Sequence, residues 1–240
     1  LKIKGVFNLP IVSDFRQKDL SLGGQGAPLT PIFHKLLMLK LKMTPPLCFV
    51  NIGGISNITV IDDQEYIYAY DTGPGMCLLD QYMFLKKKIN FDKGGMHSQK
   101  GKVNLKILNK LMSDKFFHKK KNKSLDRNYF SLKPFIKLRI NDACATISAF
   151  TALTITKEAN KFNARYLIVS GGGSKNKCLI NLMNETFKGK ILTADNLNLN
   201  SDFIESQAFA YIGIRRMKNL PISFPSTTGV KYSVTGGKIN

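Results

Sequence analysis

Three glycine-rich segments carry the residue types and spacing best suited to chemistry: Asn51-Ile-Gly-Gly-Ile-Ser-Asn-Ile58, Tyr70-Asp-Thr-Gly-Pro-Gly75 and, much later, Val169-Ser-Gly-Gly-Gly-Ser-Lys-Asn176. The first two stand about one strand apart. Each ends or separates a short run rich in Val, Ile, Tyr or Phe. Glycine has no Cβ, so its backbone can come within hydrogen-bond range of a ligand. Successive exposed N–H groups then form a concave anion site. With Asp71 beside one of these segments, the pattern points to a site that holds nucleotide phosphates and a metal ion. The plainer alternative is a set of tight turns. A single Gly-Gly pair is more often that; three such segments after apolar runs shift the balance towards phosphate.

The elements that must position these segments follow from periodicity and punctuation. Residues 5–14 read as a strand ending at Asp14, and Gly23-Gly-Gln-Gly26 with Pro28 as a loop. Residues 31–41 fit a helix capped by Thr30, with Pro31 at its first position. Strands are expected over 47–52, 55–61 and 66–70, the first two paired across Gly53-Gly54. A helix is expected over 80–87, with short ones over 102–112 and 134–138. Residues 141–162 repeat apolar positions at three and four and form the clearest helix. A strand (166–169), a helix (175–187) and a strand (190–193) follow. A last helix runs from Ser201 to Lys218, its start marked by the near capping-box spacing of Ser201 and Glu205. Beyond Pro221 the tail is polar and glycine-rich. No repeat or linker divides the chain. The order predicts an α/β fold, a mixed sheet flanked by helices; with its glycine-turned first hairpin this layout resembles the ribonuclease-H-like half-domain of actin and sugar kinases.

Composition narrows the class. The chain has 240 residues, 43% of them hydrophobic, enough for a sizeable core. No apolar run is long enough to span a membrane, and Leu1-Lys-Ile-Lys-Gly5 lacks the apolar stretch of a signal peptide. Cys48, Cys77, Cys144 and Cys178 are scattered without metal-ligand spacing, so neither zinc nor disulfides are expected. The net charge is +20. Nearly all of it is lysine, and Lys, Asn and Ile abound together, as AT-rich coding produces. The run Lys115-Phe-Phe-His-Lys-Lys-Lys-Asn-Lys123 reads as a solvated basic loop. The competing class, a nucleic-acid binder, predicts duplex affinity with a steep salt dependence.

The motifs also resemble a family. In order along the chain stand Asp14-Phe-Arg16, Leu22-Gly-Gly-Gln-Gly-Ala-Pro-Leu29, Asn51-Ile-Gly-Gly-Ile-Ser-Asn57, Tyr70-Asp-Thr-Gly-Pro-Gly75, Phe91-Asp-Lys-Gly94, Gly171-Gly-Gly-Ser-Lys-Asn176, Asp202-Phe-Ile-Glu-Ser-Gln-Ala-Phe-Ala210 and Leu220-Pro221 with Pro225-Ser-Thr-Thr-Gly229. Together they closely resemble anhydro-N-acetylmuramic acid kinase over almost the whole chain. The resemblance implies a cytoplasmic bacterial enzyme of cell-wall recycling. It would use ATP and Mg²⁺ to phosphorylate O6 of 1,6-anhydro-N-acetylmuramic acid while water opens the anhydro bridge. The same resemblance implies two lobes around a cleft, a homodimer, and no membrane or nucleic-acid partner. Residues 1–240 then correspond to the C-terminal lobe, the N-terminal lobe being missing. Asp14 corresponds to the catalytic base; Arg16 contacts the sugar's carboxylate or a phosphate, and Glu205 faces the sugar. Gly53, Gly54, Asp71, Thr72, Gly73 and Gly75 hold phosphate, with Asp71 on the metal. Gly171, Gly172, Gly173 and Asn176 lie on the adenosine side. Bland roles stand beside these: a loop-capping Asp14, an Arg16–Asp19 ion pair, a first-turn helix acid at Glu205. One departure is Met76, where the family pattern has Asn. A second reading is a truncated, inactive remnant that still binds nucleotide or sugar.

Overall fold

A computed structural model describes residues 9–118, 123–200 and 203–240. The chain divides into two units, one made of the described residues of Leu1–Thr44, Ile67–Ala69 and Asp202–Asn240, the other of Pro45–Tyr66 and Tyr70–Ser201.

The second unit is built on β2 (Leu47–Ile52), β3 (Ile55–Ile61), the part of β4 (Ile67–Pro74) from Tyr70 onward, β5 (Tyr166–Ser170) and β6 (Lys190–Thr193), in the order β4-β3-β2-β5-β6. β2 is apolar along nearly its whole length because it is a central strand. It pairs antiparallel with β3, from Leu47 opposite Ile61 to Ile52 opposite Ser56. On its other edge it pairs parallel with β5, and β5 with β6. The sheet is therefore mixed, and helices flank it, as expected. Strands β2, β3 and β6 match the expected bounds residue for residue. Parallel pairing of β2 and β5 brings their carboxyl ends side by side, where open α/β sheets bind ligands.

The third strand is longer than expected. β4 runs through Asp71-Thr72-Gly73 to Pro74 instead of turning after Tyr70. The Asp71 N–H donates to Lys123 O at 2.9 Å, so the strand finds a partner some fifty residues away. Gly73 serves packing rather than a turn: a Cβ there would lie 2.9–3.0 Å from the Thr154 side chain.

The helices of this unit are α3 (Cys77–Lys87), α4 (Met96–Gln99), α5 (Leu105–Met112), α6 (Ile140–Lys161) and α7 (Lys177–Thr186), with single 3-10 turns between them. α6 is buried on nearly every side. Its many Ala, Ser and Thr residues let neighbours approach closely. Its core partners include Leu78, Tyr82, Met83, Phe116, Phe130 and Phe135. The aromatics of the lysine-rich region belong to this core. Phe117 stacks on Phe130 and meets Phe150 edge-on. Lys119–Lys121 and Asn122 lie outside the described residues. Lys123, expected in a solvated loop, is only 5% exposed. The segment expected as a helix over 134–138 is a 3-10 turn at Lys133–Phe135.

The first unit holds β1 (Val12–Ser13), α1 (Gln17–Ser21), α2 (Pro31–Lys40), α8 (Ile204–Met217), α9 (Pro225–Thr228) and β7 (Lys238–Ile239). Strand β1 is short, and residues 5–8 of its expected span lie outside the described residues. The tail is more ordered than its composition suggests. β7 pairs antiparallel with β1, Val12 opposite Ile239. Leu29, Ile212 and Ile222 form the local core, with Phe15, Ile32 and Phe209 against it. α8 starts at Ile204 behind Phe203; Ser201, the expected cap, lies outside the described residues.

All four cysteines are free and buried. Burial raises their thiols, Cys144 to about 12, so they act as small apolar groups. Among the described residues no helix is long and apolar enough to cross a membrane.

Candidate functional site

Three glycine segments meet at one end of the second unit's sheet. The Gly53-Gly54 turn accepts three backbone hydrogen bonds from the end of β4 and the start of α3. Gly75 N–H donates to Gly54 O (2.9 Å), Met76 N–H to Gly53 O (2.8 Å) and Cys77 N–H to Gly54 O (3.1 Å). Thr151 Oγ1 of α6 donates to Gly75 O at 3.0 Å. The third segment leaves β5 at Gly171, whose φ of 81° suits glycine. A Cβ on Gly171 would run into Asn51, and one on Gly173 into Ile52. The loops after β2, β4 and β5 thus form one connected layer.

The glycines divide by what surrounds them. Gly73, Gly75, Gly171 and Gly173 are glycine because their neighbours leave no room for a Cβ. Gly53, Gly54 and Gly172 have open space: the nearest atoms to a Cβ on Gly53 and Gly54 stand at 3.7 Å, and Gly172 has none within 4 Å. None of these three has a left-handed φ. Among the described residues, the N–H groups of Gly53 and Gly54 donate to no protein group. This turn is the part of the layer that can receive an anion.

Thr72 is fully buried. Its hydroxyl lies 2.7 Å from Ser56 Oγ and donates to Ser56 O, locking β4 to β3. Asn176 is 3% exposed and caps α7, its Oδ1 accepting from Leu179 N–H at 3.1 Å; its Nδ2 has no partner among the described residues. Asp71 is half-buried. Its Oδ2 accepts the Leu125 N–H at 2.8 Å. Burial pushes its carboxyl up and the Leu125 N–H opposes the rise. Its Oδ1 has no protein partner among the described residues. Among the described residues no group of three or more potential metal ligands converges there. A carboxylate oxygen left without a protein partner on the strand that leads into the glycine layer still fits Mg²⁺, which protein sites often hold with one or two carboxylates plus phosphate oxygens.

Asp80, in the first turn of α3, was not singled out from the sequence. Its Oδ1 is buried without a hydrogen bond among the described residues. Burial pushes its carboxyl up to about 6 against the pull of Arg127. The legible signal was an acid in the first turn of the helix that follows the second glycine segment.

The remaining candidates lie in the first unit. Asp14 is exposed and follows β1 in the left-handed region, at φ 56°, a conformation Asp tolerates better than most residues. Ser13 Oγ donates to its Oδ2 at 3.1 Å, and its carbonyl accepts Gln17 N–H. Arg16 is exposed at the start of α1. Asp19, its imagined ion-pair partner, is fully buried and used otherwise. It accepts Gly26 N–H at 2.7 Å and the Thr228 hydroxyl at 2.6 Å. It ties the Gly23–Gly26 loop to α9; a Cβ on Gly24 would strike its carboxylate. Among the described residues no salt bridge joins it to Arg16. Glu205 is exposed in the first turn of α8. Phe15, between Asp14 and Arg16, packs edge-on against Phe209 of that helix at 5.7 Å.

A family model described as anhydro-N-acetylmuramic acid kinase matches residues 3–240. The chain is similar to the anhydro-N-acetylmuramic acid kinase of Methylorubrum extorquens, 40% identical over 233 residues, covering 96% of this chain and 62% of the relative. That of Zymomonas mobilis is 39% identical over 235 residues, covering 97% and 64%. The chain thus spans somewhat under two thirds of these relatives. Among solved structures, the ADPNP-bound activator of 2-hydroxyisocaproyl-CoA dehydratase from Clostridium difficile aligns over 72% of this chain and 62% of its own, with a TM-score of 0.46 and 14% identity.

Proposed function

The chain belongs to the anhydro-N-acetylmuramic acid kinase family, and on that premise we propose that it serves the ATP-dependent phosphorylation of 1,6-anhydro-N-acetylmuramic acid at O6. Residues 1–240 represent the family's C-terminal lobe, and the first phosphate loop and part of the sugar site belong to the N-terminal lobe. Asp14 takes a proton from water as the water oxygen bonds to the anomeric carbon. The bond from that carbon to O6 breaks, O6 bonds to the γ-phosphorus, and the bond from phosphorus to the β–γ bridging oxygen breaks. The products are N-acetylmuramic acid 6-phosphate and ADP, within cell-wall recycling in the cytoplasm. A homodimer is the proposed assembly.

The observation that carries this reading is the open Gly53-Gly54 turn, with two undonated N–H groups held in place by Gly75 and Met76. Such donors stabilise phosphate charge without reorganising. Asp71 Oδ1 would hold Mg²⁺, which when bound neutralises charge on the phosphate oxygens. Arg16 and Glu205 act on the sugar. Gly171–Gly173 and Asn176 form the adenosine side, where Gly172 is the open position.

A second reading, nucleotide binding without turnover, is favoured by Met76. Its side chain packs against the core around α3 and α6 and brings no polar group to the glycine layer. Incubation with MgATP and the anhydro sugar, followed by ³¹P NMR, separates the two. A sugar 6-phosphate resonance supports the kinase, and Asp14→Asn should cut its formation by about a hundredfold or more, the usual worth of a positioned base. ADP binding without any sugar phosphate would overturn the kinase reading for this chain.

A further inference from the structure

Within the second unit one face of α6 follows the strand that carries Asp71. Thr151 holds Gly75 O, Thr154 backs Gly73, and Glu158 accepts the Tyr70 hydroxyl at 3.0 Å. Positions 151, 154 and 158 share one helical face. The threonines are ordinary buried hydroxyls. Glu158 is a buried carboxylate, 3% exposed, and such a group is costly unless paired. Its Oε1 accepts from Lys123 Nζ at 2.7 Å and from Lys161 Nζ at 2.8 Å. Lys123 Nζ also sits 5.1 Å from the centroid of the Tyr70 ring.

Lys123 begins a short strap that grips Asp71 twice. Its carbonyl accepts the Asp71 N–H at 2.9 Å, and two residues on, the Leu125 N–H donates to Asp71 Oδ2 at 2.8 Å. The Lys123–Glu158 pair ties the strap to α6, and Glu158 ties down Tyr70, the residue before Asp71. A buried ion pair is weak evidence for stability, since apolar replacements often do as well. Here it ends on the backbone that orients one particular carboxylate.

We propose that Lys123 and Glu158 are positioning residues for Asp71: they fix the strap that occupies Oδ2 and so leave Oδ1 presented to a cation on bound phosphate. This rests on the reading of Asp71 as the metal-side group of a nucleotide site.

The test is calorimetric titration of the 240-residue chain with ADP, once with MgCl₂ and once with EDTA. Wild type, Asp71→Asn, Lys123→Met, Glu158→Gln and the double variant Lys123→Met with Glu158→Gln are compared, with Lys123→Arg as the conservative rescue. The double variant leaves neither charge of the pair uncompensated, so it reports even if a single variant folds poorly. Expected is a roughly tenfold loss of the Mg²⁺-dependent gain in ADP affinity, with ADP affinity in EDTA changed less than about twofold. Lys123→Arg should restore most of the loss. An equal fall in both conditions would show a merely structural role and overturn the proposal. An unchanged Mg²⁺ gain in the Lys123 and Glu158 variants, with that gain lost in Asp71→Asn, would overturn it alone. If Asp71→Asn binds as wild type does in both conditions, the nucleotide-site reading of Asp71 fails first and takes this proposal with it.

Discussion

Replacing Gly75 by alanine should unpick the joint between the first two glycine segments. A Cβ at this position would sit well inside contact distance of Gly53 O and 3.1 Å from Ile55 C and Ser56 N. All three are backbone atoms, so no side chain can swing aside. The two segments must part by about 1 Å to reach ordinary contact distances. The hydrogen bonds from Gly75, Met76 and Cys77, now 2.8–3.1 Å, would then stretch out of useful range. At about 1 kcal/mol net each, their loss costs roughly 3 kcal/mol. The smaller unfolded-state entropy of alanine returns about 0.5 kcal/mol. The net, between 2 and 3 kcal/mol or so, corresponds to a fall in Tm of about 5–10 °C for a protein of this size. Gly54→Ala is the matched control, because its nearest neighbour is Cys77 Cβ at 3.7 Å and its φ is not left-handed. It should unfold within about 0.5 kcal/mol of wild type while weakening ADP binding. Circular dichroism during thermal and urea unfolding measures the stability of both variants, and calorimetric titration with ADP measures the binding. If Gly75→Ala unfolds with the wild type, or Gly54→Ala falls as far as Gly75→Ala, the division of the glycines into packed and open sets is wrong.

Two further expectations concern pH. His34, buried in α2, is pushed down to about 3 by burial. Its folded value lies below the unfolded 6.5, so the unfolded chain binds more protons in between. The contribution of neutral His34 is present above 6.5 and is lost progressively towards pH 3, up to a few kcal/mol. His34→Gln should flatten that part of a urea-midpoint profile; an unchanged slope would sink the assignment. Asp80 runs the other way. Its folded value, about 6, exceeds the usual 3.8, so ionisation costs the fold stability as pH rises from about 4 to above 6. The group is partly exposed, which reduces the cost to about 1 kcal/mol. Asp80→Asn should therefore stabilise by about that much at pH 7.5 and by almost nothing at pH 4. Equal effects at both pH values would show that folding does not shift the Asp80 carboxyl.

Much of the frame was legible in the residues themselves. The apolar runs 47–52, 55–61 and 190–193, each bounded by Gly or Pro or by a polar break, are strands with those bounds. The three glycine segments were legible as a set because glycine after an apolar strand is a local signal. What sequence could not separate was why each glycine is there. Gly73 and Gly75 answer to Thr154 and to Gly53, and Gly171 to Asn51, partners supplied only by the fold. Likewise Asp19 is indistinguishable from any helix-surface acid until Thr228, 209 residues away, closes on it. Lys123 reads as one more lysine of a basic run until Glu158 of a buried helix receives it. Local patterning determined these strands and their turns and marked the glycine loops as candidates for phosphate, because periodicity and backbone freedom act over a few residues. Tertiary structure decided which groups are open to a ligand and which are spent on packing, because burial and pairing depend on chain segments that sequence separates and folding brings together.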